Sequence, residues 1–541
     1  MLRVKTAARL SAGVFLLAAA LVAPRHAAAQ FADAPLAQPA APPEINLTLE
    51  DAVQRALENN LDIQVERLGP QAIDFTLAGL RSAYHPTLTS TMGQRSQVNP
   101  PTSQLNGGQR VTNDTLTYNA GVQQLLPWGG GAASVSWTNS RLDTSNIFAN
   151  FNPSYTASAT AVVTQPLLRG FRIDATRQQL RITQLNRAIS EVDLRGTLVN
   201  TVAAVRNAYW DLLFAGQAAD VAQRSLDLAE KLVEDNQARV EAGAMAPIDV
   251  VEAEAEAASR RQALAQAEAA ARILELSLKR LIVESTGDPL WQARIVPVDR
   301  PVFRPEPIDV PAAIRAALDR RTDVSAAHRR LEGADVTLRF LHDRTLPALD
   351  AVATYGLQGL GGTQFIRQGS GLGSVIVGTV PGGYGDALGA IGRRSFPTWN
   401  VSLNLTYPLF GSSADAEHAR ARVERQQTVA QIKALELQVA TEVTTAATQV
   451  QSSLRQIEAA TAARSLAERR LDAEQSKFEV GLSTNFFVVQ AQRDLQDAQN
   501  RELRALLDYQ KSLVEFERAQ ETSLQGAGIN IASGGSGGPQ P

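Results

Sequence analysis

The stretch AATQVQSSLRQIEAATAARSLAERRLDAEQSKFEVGLST (446–484) is the most informative about the fold. It contains the end of a segment, 413–480, that has neither proline nor glycine, and the residues that follow it. Aliphatic residues recur in this segment at three- and four-residue steps, which is the spacing of one face of a helix. A helix of about 70 residues without internal caps is typical of coiled coils. Gly481 follows directly, and glycine is the usual residue where a helix ends and the chain reverses. The repeating positions are Ile432, Leu435, Val439, Val443, Val450, Leu454 and Ile457.

The first half of the chain carries a counterpart of this segment at 172–242, which holds almost no helix breakers. Three blocks of the first half align with three blocks of the second half, in the same order along the chain. The last block places Gly243 on Gly481. A twofold internal repeat is therefore predicted. In the first two blocks, Ala52, Ala56 and Leu57 fall on Ala313, Ala317 and Leu318, and Gln165-Pro166-Leu167-Leu168 falls on Tyr407-Pro408-Leu409-Phe410.

Each repeat reads as a helix, a β region, a very long helix, a short loop and a second helix. The two shorter helices of repeat 1, near 49–85 and 247–283, together match its long helix in length. Stacked end to end they would run beside the long helix for roughly 100 Å; the matching first helix of repeat 2 runs from about 310 to 346. The predicted organisation is a signal peptide (1–29), a flexible N-terminal segment (30–48), repeat 1 (49–285), an inter-repeat linker (286–309), repeat 2 (310–524) and a disordered tail (525–541).

The β regions, 87–165 and 349–407, alternate between apolar residues and small polar ones. The alternating stretches 133–138, 155–161 and 399–407 carry no charge, as expected of strands in a membrane, although one buried face of a soluble β-sandwich would alternate in the same way. Four to six strands cannot close a transmembrane barrel, so the barrel must be shared between chains. Aromatic residues near the predicted strand ends suit a membrane interface: Trp128, Trp137, Tyr155, Trp399 and Tyr407. The predicted strands are 87–97, 115–125, 132–140, 155–165, 349–357 and 399–407, with a long exposed loop at 358–398.

Composition limits the function. Cysteine is absent, which excludes disulfides, thiolate metal sites and lipid attachment to an N-terminal cysteine. The basic, then apolar, start of the chain followed by Ala27-Ala28-Ala29 is typical of an export signal. The formal charge of −3 argues against a nucleic-acid partner. Histidines are scattered singly, so we expect no enzyme activity, no cofactor and no metal site.

The chain resembles the TolC family of outer-membrane efflux proteins over about 49–524. The resemblance rests on Leu49-Glu50-Asp51-Ala52, the proline-leucine junctions at 165–170 and 407–411, the twofold repeat and the loop Phe478-Glu479-Val480-Gly481-Leu482-Ser483-Thr484. It implies a mainly α fold with membrane β-strands: a homotrimer with a 12-stranded barrel in the outer membrane, in contact with outer-membrane lipid, and an α-helical barrel across the periplasm. Such channels serve efflux or type I secretion together with a periplasmic adaptor (membrane fusion) protein and an inner-membrane pump.

The resemblance also implies a docking surface for the adaptor at the two tip loops, 242–248 and 480–486. The residues concerned are Ala242, Gly243, Val480, Gly481, Leu482, Ser483 and Thr484. A purely structural role as turn residues is the alternative for each of them.

A gate is predicted beside the tips. Relatives can constrict the periplasmic mouth with aspartates six and nine positions after the second tip glycine, whereas here those positions hold Phe487 and Gln490. The same count from Gly243 gives Asp249 and Glu252. We therefore hypothesise a partly apolar ring of Phe487 side chains with acids from repeat 1, since apolar rings gate by dewetting and acidic rings tune ion preference. Packing of Phe487 between helices is the alternative.

At the level of the whole protein, the competing class is an exported coiled-coil adhesin without channel activity.

Overall fold

The computed structural model describes residues 43–100, 110–243, 245–300, 307–369 and 373–523. The predicted signal peptide, most of the predicted flexible segment and the predicted tail lie outside these residues. The helices are α1 (Leu49–Asn59), α2 (Leu61–Ser82), α3 (Ala175–Glu241), α4 (Pro247–Ile282), α5 (Pro289–Gln292), α6 (Val310–Arg320), α7 (Thr322–Arg344), α8 (Tyr384–Gly392), α9 (Ser413–Glu479) and α10 (Asn485–Ala519). The strands are β1 (Glu44–Leu47), β2 (Thr87–Asn99), β3 (Val111–Leu125), β4 (Ala132–Thr144), β5 (Phe151–Pro166), β6 (Arg294–Pro297), β7 (Ala348–Gln368), β8 (Val375–Val380) and β9 (Pro397–Thr406).

The two long helices, α3 and α9, each contain 67 residues. The Asp174 side chain caps α3 by accepting a hydrogen bond from the Arg177 amide, and Ser412 and Asp415 form a capping box at the start of α9. At about 1.5 Å per residue each helix is roughly 100 Å long. Along the part of the chain that the structure describes, no helix is both long and apolar enough to cross a membrane.

Short helices stack along each long helix, as the sequence predicts. Helices α1, α2 and α4 contact α3, and α6, α7 and α10 contact α9. In repeat 1 the three short helices have 11, 22 and 36 residues, and in repeat 2 they have 11, 23 and 35 residues. In each repeat the three short helices together have 69 residues, about as many as the 67 of the long helix, so two columns of similar length lie side by side.

The predicted single helices at 49–85 and 310–346 are each broken in two, which corrects the sequence interpretation. The breaks fall at Asn60 and Arg321, which are equivalent positions in the first aligned block of the two repeats. Asn60 leaves the helical conformation because its side chain accepts hydrogen bonds from the amides of Asp62 and Ile63, which start α2. The Arg321 guanidinium instead bridges Asp323 and Glu442 at 2.6 Å each.

The predicted flexible segment and inter-repeat linker contain ordered structure, which corrects both boundaries. Strand β1 pairs in parallel with β6, and α5 lies just before β6. The buried Tyr209 hydroxyl on α3 donates to the Leu47 carbonyl (3.0 Å) and lies 2.5 Å from Asp299 Oδ2. These contacts hold the two short strands against α3 in the main core cluster of repeat 1.

The β region forms one antiparallel sheet in the order β2-β3-β4-β5-β7, with β8 and β9 both paired to β7. All six predicted strands are present. The predicted long loop at 358–398 is wrong, because β7 continues to Gln368 and the same stretch also contains β8 and α8. Helix α8 can lie directly on the sheet because Gly359 and Gly361 have no side chain; a Cβ at Gly359 would come within 1.9 Å of the Ala387 carbonyl oxygen.

Candidate functional site at the helix tips

The second tip is a tight reversal between α9 and α10. Gly481 has a φ of +77°, its amide donates to the Phe478 carbonyl (3.2 Å), and the Leu482 amide donates to the Lys477 carbonyl (2.8 Å). This pair of bonds is the Schellman arrangement, which requires a left-handed residue that glycine adopts without strain. The loop is also held by Ser483, whose hydroxyl donates to Glu474 at 2.8 Å.

The carboxylate of Glu474 accepts a second bond from Lys477 at 2.7 Å. Both contacts favour the charged carboxylate, so they hold the pKa of Glu474 below its usual range. The Ser483 hydroxyl therefore has an ionised acceptor at neutral pH. Thr484 immediately precedes α10, and its exposed hydroxyl makes no capping hydrogen bond to that helix.

The first tip, between α3 and α4, also ends in a left-handed glycine. Gly243 has a φ of +72°, and its amide donates to the Val240 carbonyl at 2.9 Å. Helix α4 then opens with Pro247, which suits the first turn because its missing N–H would have no helical partner there. Ala242 and Gly243 are exposed, as are Val480, Gly481, Leu482 and Thr484, whereas Ser483 is half-buried.

The two tips of one protomer are joined to each other. Asn236 on α3 donates to the side chain of Asn485 on α10 at 3.0 Å, and both residues are buried. Asn236 also donates to the Asp249 carbonyl (3.4 Å). Arg239 lies 4.2 Å from the Phe478 ring centre and donates to the Phe478 carbonyl. The tips therefore form one unit with a small core of Leu232, Phe478 and Val488.

Large apolar side chains are exposed on this unit. Phe486 and Phe487 stand at the start of α10 with ring centres 5.6 Å apart, and Leu482 is 79% exposed. A group of exposed apolar side chains at one place is typical of an interaction surface. The full set, called here the apolar tip surface, is Ile248, Val251, Val480, Leu482, Phe486 and Phe487.

One predicted gate residue, Phe487, belongs to this surface, whereas Asp249 and Glu252 lie next to Ile248 and Val251 on α4, and Gln490 lies on α10. Phe487 is 51% exposed, so the protomer does not bury it between its own helices. Glu252 is exposed and Asp249 is half-buried. Gln490 donates to Asp494 at 2.8 Å, and Asp494 pairs with Arg470 at 2.6 Å, so Gln490 is held on the α10 surface beside an ion pair to α9. Their role at an aperture between protomers stays a prediction.

A buried ionic cluster lies one to two turns further from the tip, and the sequence did not predict it. The Glu256 side chain on α4 is 4% exposed and pairs with Arg260 at 2.5 Å and with Arg493 on α10. Burial raises the pKa of Glu256, but the hydrogen bonds and charges of Arg493 and Arg260 lower it by more, so the group stays ionised. The spacing of Glu256 and Arg260 could have suggested a helical ion pair, whereas Arg493 lies in the other repeat, far along the chain.

The predicted interface aromatics lie on or beside the sheet at the other end of the chain's helices. Trp128, Trp399 and Tyr407 are exposed. Trp137 lies in the middle of β4 and not near its end, because β4 is longer than predicted. Its side chain packs in a cluster with Ala157 on β5 and Ile391 on α8. The ring centre of Tyr155, on β5, lies 6.4 Å from that of Tyr384, on α8. Across the residues described, no group of three or more His, Asp or Glu side chains could hold a metal ion.

Comparison with known proteins gives a family and a fold. The sequence profile of a family described as outer membrane efflux protein matches residues 117–283 and 313–519. No curated protein sequence matches significantly.

Three solved structures show the likeness of fold. The Campylobacter jejuni CmeC outer membrane channel is 15% identical with a TM-score of 0.62, covering 90% of this chain and 86% of that one. The Vibrio cholerae outer membrane protein VceC is 15% identical with a TM-score of 0.61, covering 87% and 95%. The Neisseria gonorrhoeae MtrE outer membrane channel in its open state is 17% identical with a TM-score of 0.58, covering 88% and 89%.

Proposed function

Because the chain belongs to the outer membrane efflux protein family, we propose that it is a homotrimeric channel that crosses the outer membrane and continues as a helical tunnel into the periplasm. In this role it exports substrates in a tripartite efflux or type I secretion system, together with a periplasmic adaptor protein and an inner-membrane pump. The observation that carries the proposal is the pairing of two features in one protomer. An open-edged sheet lies at one end of the two 67-residue helices, and two glycine tips lie at the other.

The competing function, an exported coiled-coil adhesin, accounts for long helices but not for the sheet. An adhesin has no need for strands with one apolar and one polar face in a sheet whose edges are open within the described residues. Cell fractionation separates the two. We expect an SDS-resistant trimer in outer membranes, whereas a soluble monomer in the periplasm would overturn the channel assignment.

The proposed adaptor contact comprises the tip-loop residues together with the apolar tip surface around them; the tip-loop residues are Ala242, Gly243, Val480, Gly481, Leu482, Ser483 and Thr484. Its exposed apolar side chains, gathered around two reversals, provide area that a helical partner can bury. Leu482→Asp places a charge in that surface, and Leu466→Asp, on the similarly exposed Leu466 of α9, is the matched control. We expect Leu482→Asp to abolish export with trimer assembly intact; equal loss in both variants would argue against tip docking.

Gating is proposed for Phe487 together with Asp249 and Glu252. If three Phe487 rings narrow the mouth, Phe487→Ala raises the conductance of the closed channel in single-channel recordings. Phe486→Ala is the control, because Phe486 is its neighbour in the same exposed aromatic pair. Unchanged closed-state conductance in Phe487→Ala would remove the ring hypothesis.

The cargo is set by the pump, so export of drugs, metals and proteins is to be compared in a deletion strain.

A further inference from the structure

The hairpin β3–β4 is inserted in the sheet between β2 and β5 and does not lie beside it. Strand β2 pairs with β3 along its full length, β3 pairs with β4, and β4 pairs with β5. Strand β5 pairs with β7, and β7 with β9. Within the described residues, one protomer thus contributes six long strands in strict antiparallel order, two more than a third of a 12-stranded barrel.

The inserted hairpin has the same two faces as its neighbours. One row of paired residues crosses all six strands and is apolar: Leu88, Val122, Val135, Ala161, Tyr355 and Trp399. The next row points to the other face and contains only small or hydroxyl side chains: Thr89, Gly121, Ser136, Thr160, Gly356 and Thr398. Strands in a membrane barrel alternate in this way between lipid and lumen. The hairpin therefore shares the two faces of its neighbouring strands, and α8 covers part of the apolar face at Trp137, Ala157 and Gly359.

The base of the hairpin is fixed at the end of the sheet where the long helix begins. The Gln165 side chain donates to the Gly129 carbonyl at 2.7 Å, and the Leu126 amide donates to the Gly131 carbonyl at 2.8 Å. Gly130, with a φ of +67°, packs so closely that a Cβ there would lie 2.3 Å from the Gly170 carbonyl oxygen. The turn is thus seated between sheet and helix in a way that keeps β3 and β4 in line with the flanking strands.

Both edges of the six-stranded unit are open in the part of the chain that the structure describes. Strand β2 is exposed along nearly its whole length, and β9 likewise, with Met92 and Trp399 among the most exposed apolar side chains. Strands β2 and β9 run in opposite directions, so β9 of one copy can continue the antiparallel order into β2 of the next. Open edges are not tolerated in lipid, and a second copy of this chain is the partner that fits them.

From these observations we infer that the trimer closes an 18-stranded barrel and not the 12-stranded barrel that the family resemblance implies. This inference rests on the proposed function, since it takes the trimer and the membrane location from it. In this barrel, β9 of one copy pairs with β2 of the next. The three β3–β4 hairpins together provide one third of the strands in the wall.

Dimensions support the wider barrel. With strands about 4.8 Å apart and tilted by about 40°, 18 strands give a diameter of about 36 Å and 12 strands about 24 Å. Three copies of the four helical columns make twelve columns, and at about 9 to 10 Å between axes a ring of twelve has a diameter of about 34 to 38 Å. The wider barrel continues the helical wall without narrowing.

Cysteine accessibility tests the inference on the full-length trimer in lipid nanodiscs, with no background because the chain has no cysteine. Val135→Cys and Ser136→Cys are neighbours on β4 with opposite faces, and Ala161→Cys and Thr160→Cys are the matched controls on β5. We expect a charged maleimide to label Ser136→Cys and Thr160→Cys at least tenfold faster than Val135→Cys and Ala161→Cys. Equal, fast labelling of both β4 cysteines, with the β5 pair still distinct, would place the hairpin outside the wall and overturn the inference.

Electron cryomicroscopy of the same sample counts the strands directly. Eighteen strands in a trimer support the inference, and twelve strands in a trimer contradict it while leaving the proposed function intact. Failure to recover any trimer from outer membranes would instead overturn the proposed function, so the two failures are distinguishable.

Discussion

Repeat 1 and repeat 2 share one helical scaffold and differ in what is attached to it. Their long helices have the same length, their first columns break at equivalent positions, and their tip glycines have φ values of +72° and +77°. Yet, among the described residues, repeat 1 provides four strands to the sheet and repeat 2 provides three. Helix length and the glycine reversals are therefore kept in both repeats, whereas the attached strands and the side chains at equivalent positions differ.

Tyr209 shows the largest divergence, because the equivalent position of the long helix in repeat 2 is Ala447. Both residues are buried, but only Tyr209 holds a pair of short strands through its hydroxyl. We expect Tyr209→Ala to lower the free energy of unfolding by about 3 to 5 kcal/mol, measured by denaturant titration of circular dichroism in detergent. Ala447→Gly is the counterpart, with an expected loss of about 1 kcal/mol. Equal losses would mean that β1 and β6 add nothing to repeat 1.

The second comparison concerns two acids, Glu256 and Asp494, which occupy equivalent positions of the helices that follow the two tips. The Glu256 side chain is buried between two arginines, whereas that of Asp494 is 33% exposed. Glu256→Gln should therefore cost about 1 to 3 kcal/mol and Asp494→Asn no more than about 1 kcal/mol. If Asp494→Asn lowered the free energy of unfolding by more than Glu256→Gln does, the expected order of the two acids would be wrong.

The pH dependence of this pair has a defined sign. The pKa of Glu256 is lowered in the folded protein, so its contribution to stability is complete above the ordinary value of 4.5 and is lost as the pH falls through the lower folded pKa. The difference in unfolding free energy between wild type and Glu256→Gln should be constant between pH 6 and 8 and should shrink below about pH 4.5. A difference that changes between pH 6 and 8 would contradict this.

The tip glycines should respond alike in the two repeats. Gly243→Ala and Gly481→Ala each force a side chain into a left-handed conformation, at a cost of about 1 to 2 kcal/mol. Gly216→Ala is the matched control within α3, where no described neighbouring atom lies within 4 Å of the added Cβ. Alanine there should stabilise by about 0.5 to 1 kcal/mol. Unequal costs at the two tips would show that the reversals are not equivalent.

The smallest effects on stability, and the most informative for ion passage, concern Glu252 and Gln490, which occupy equivalent positions in the two tips. Both variants, Glu252→Gln and Gln490→Glu, should change unfolding free energy by less than about 0.5 kcal/mol, as surface substitutions do. Reversal potentials in a salt gradient should show lower cation preference for Glu252→Gln and higher preference for Gln490→Glu. No change in either variant would place both side chains away from the ion path.

Elements of the fold could be predicted from the sequence where residues close together in the chain determine them. The absence of breakers predicted α3 and α9, the alternation predicted the six strands, and Gly243 and Gly481 predicted the reversals. The helix break at Asn60 was missed because its apolar periodicity continues across the cap. The β1–β6 pairing and the Glu256–Arg493 contact join residues far apart in the chain, where no local pattern reports the contact. Helix α8 was missed because it depends on Gly359 and Gly361 leaving a flat surface on the sheet.

Planar-bilayer recording of the purified, lipid-reconstituted protein shows directly whether this scaffold encloses a pore. If it encloses a pore, we expect discrete conductance steps of uniform size, which disappear when the protein is dissociated to monomers before reconstitution. Efficient insertion of the trimer into the bilayer without any conductance step, in wild type and in Phe487→Ala alike, would contradict it.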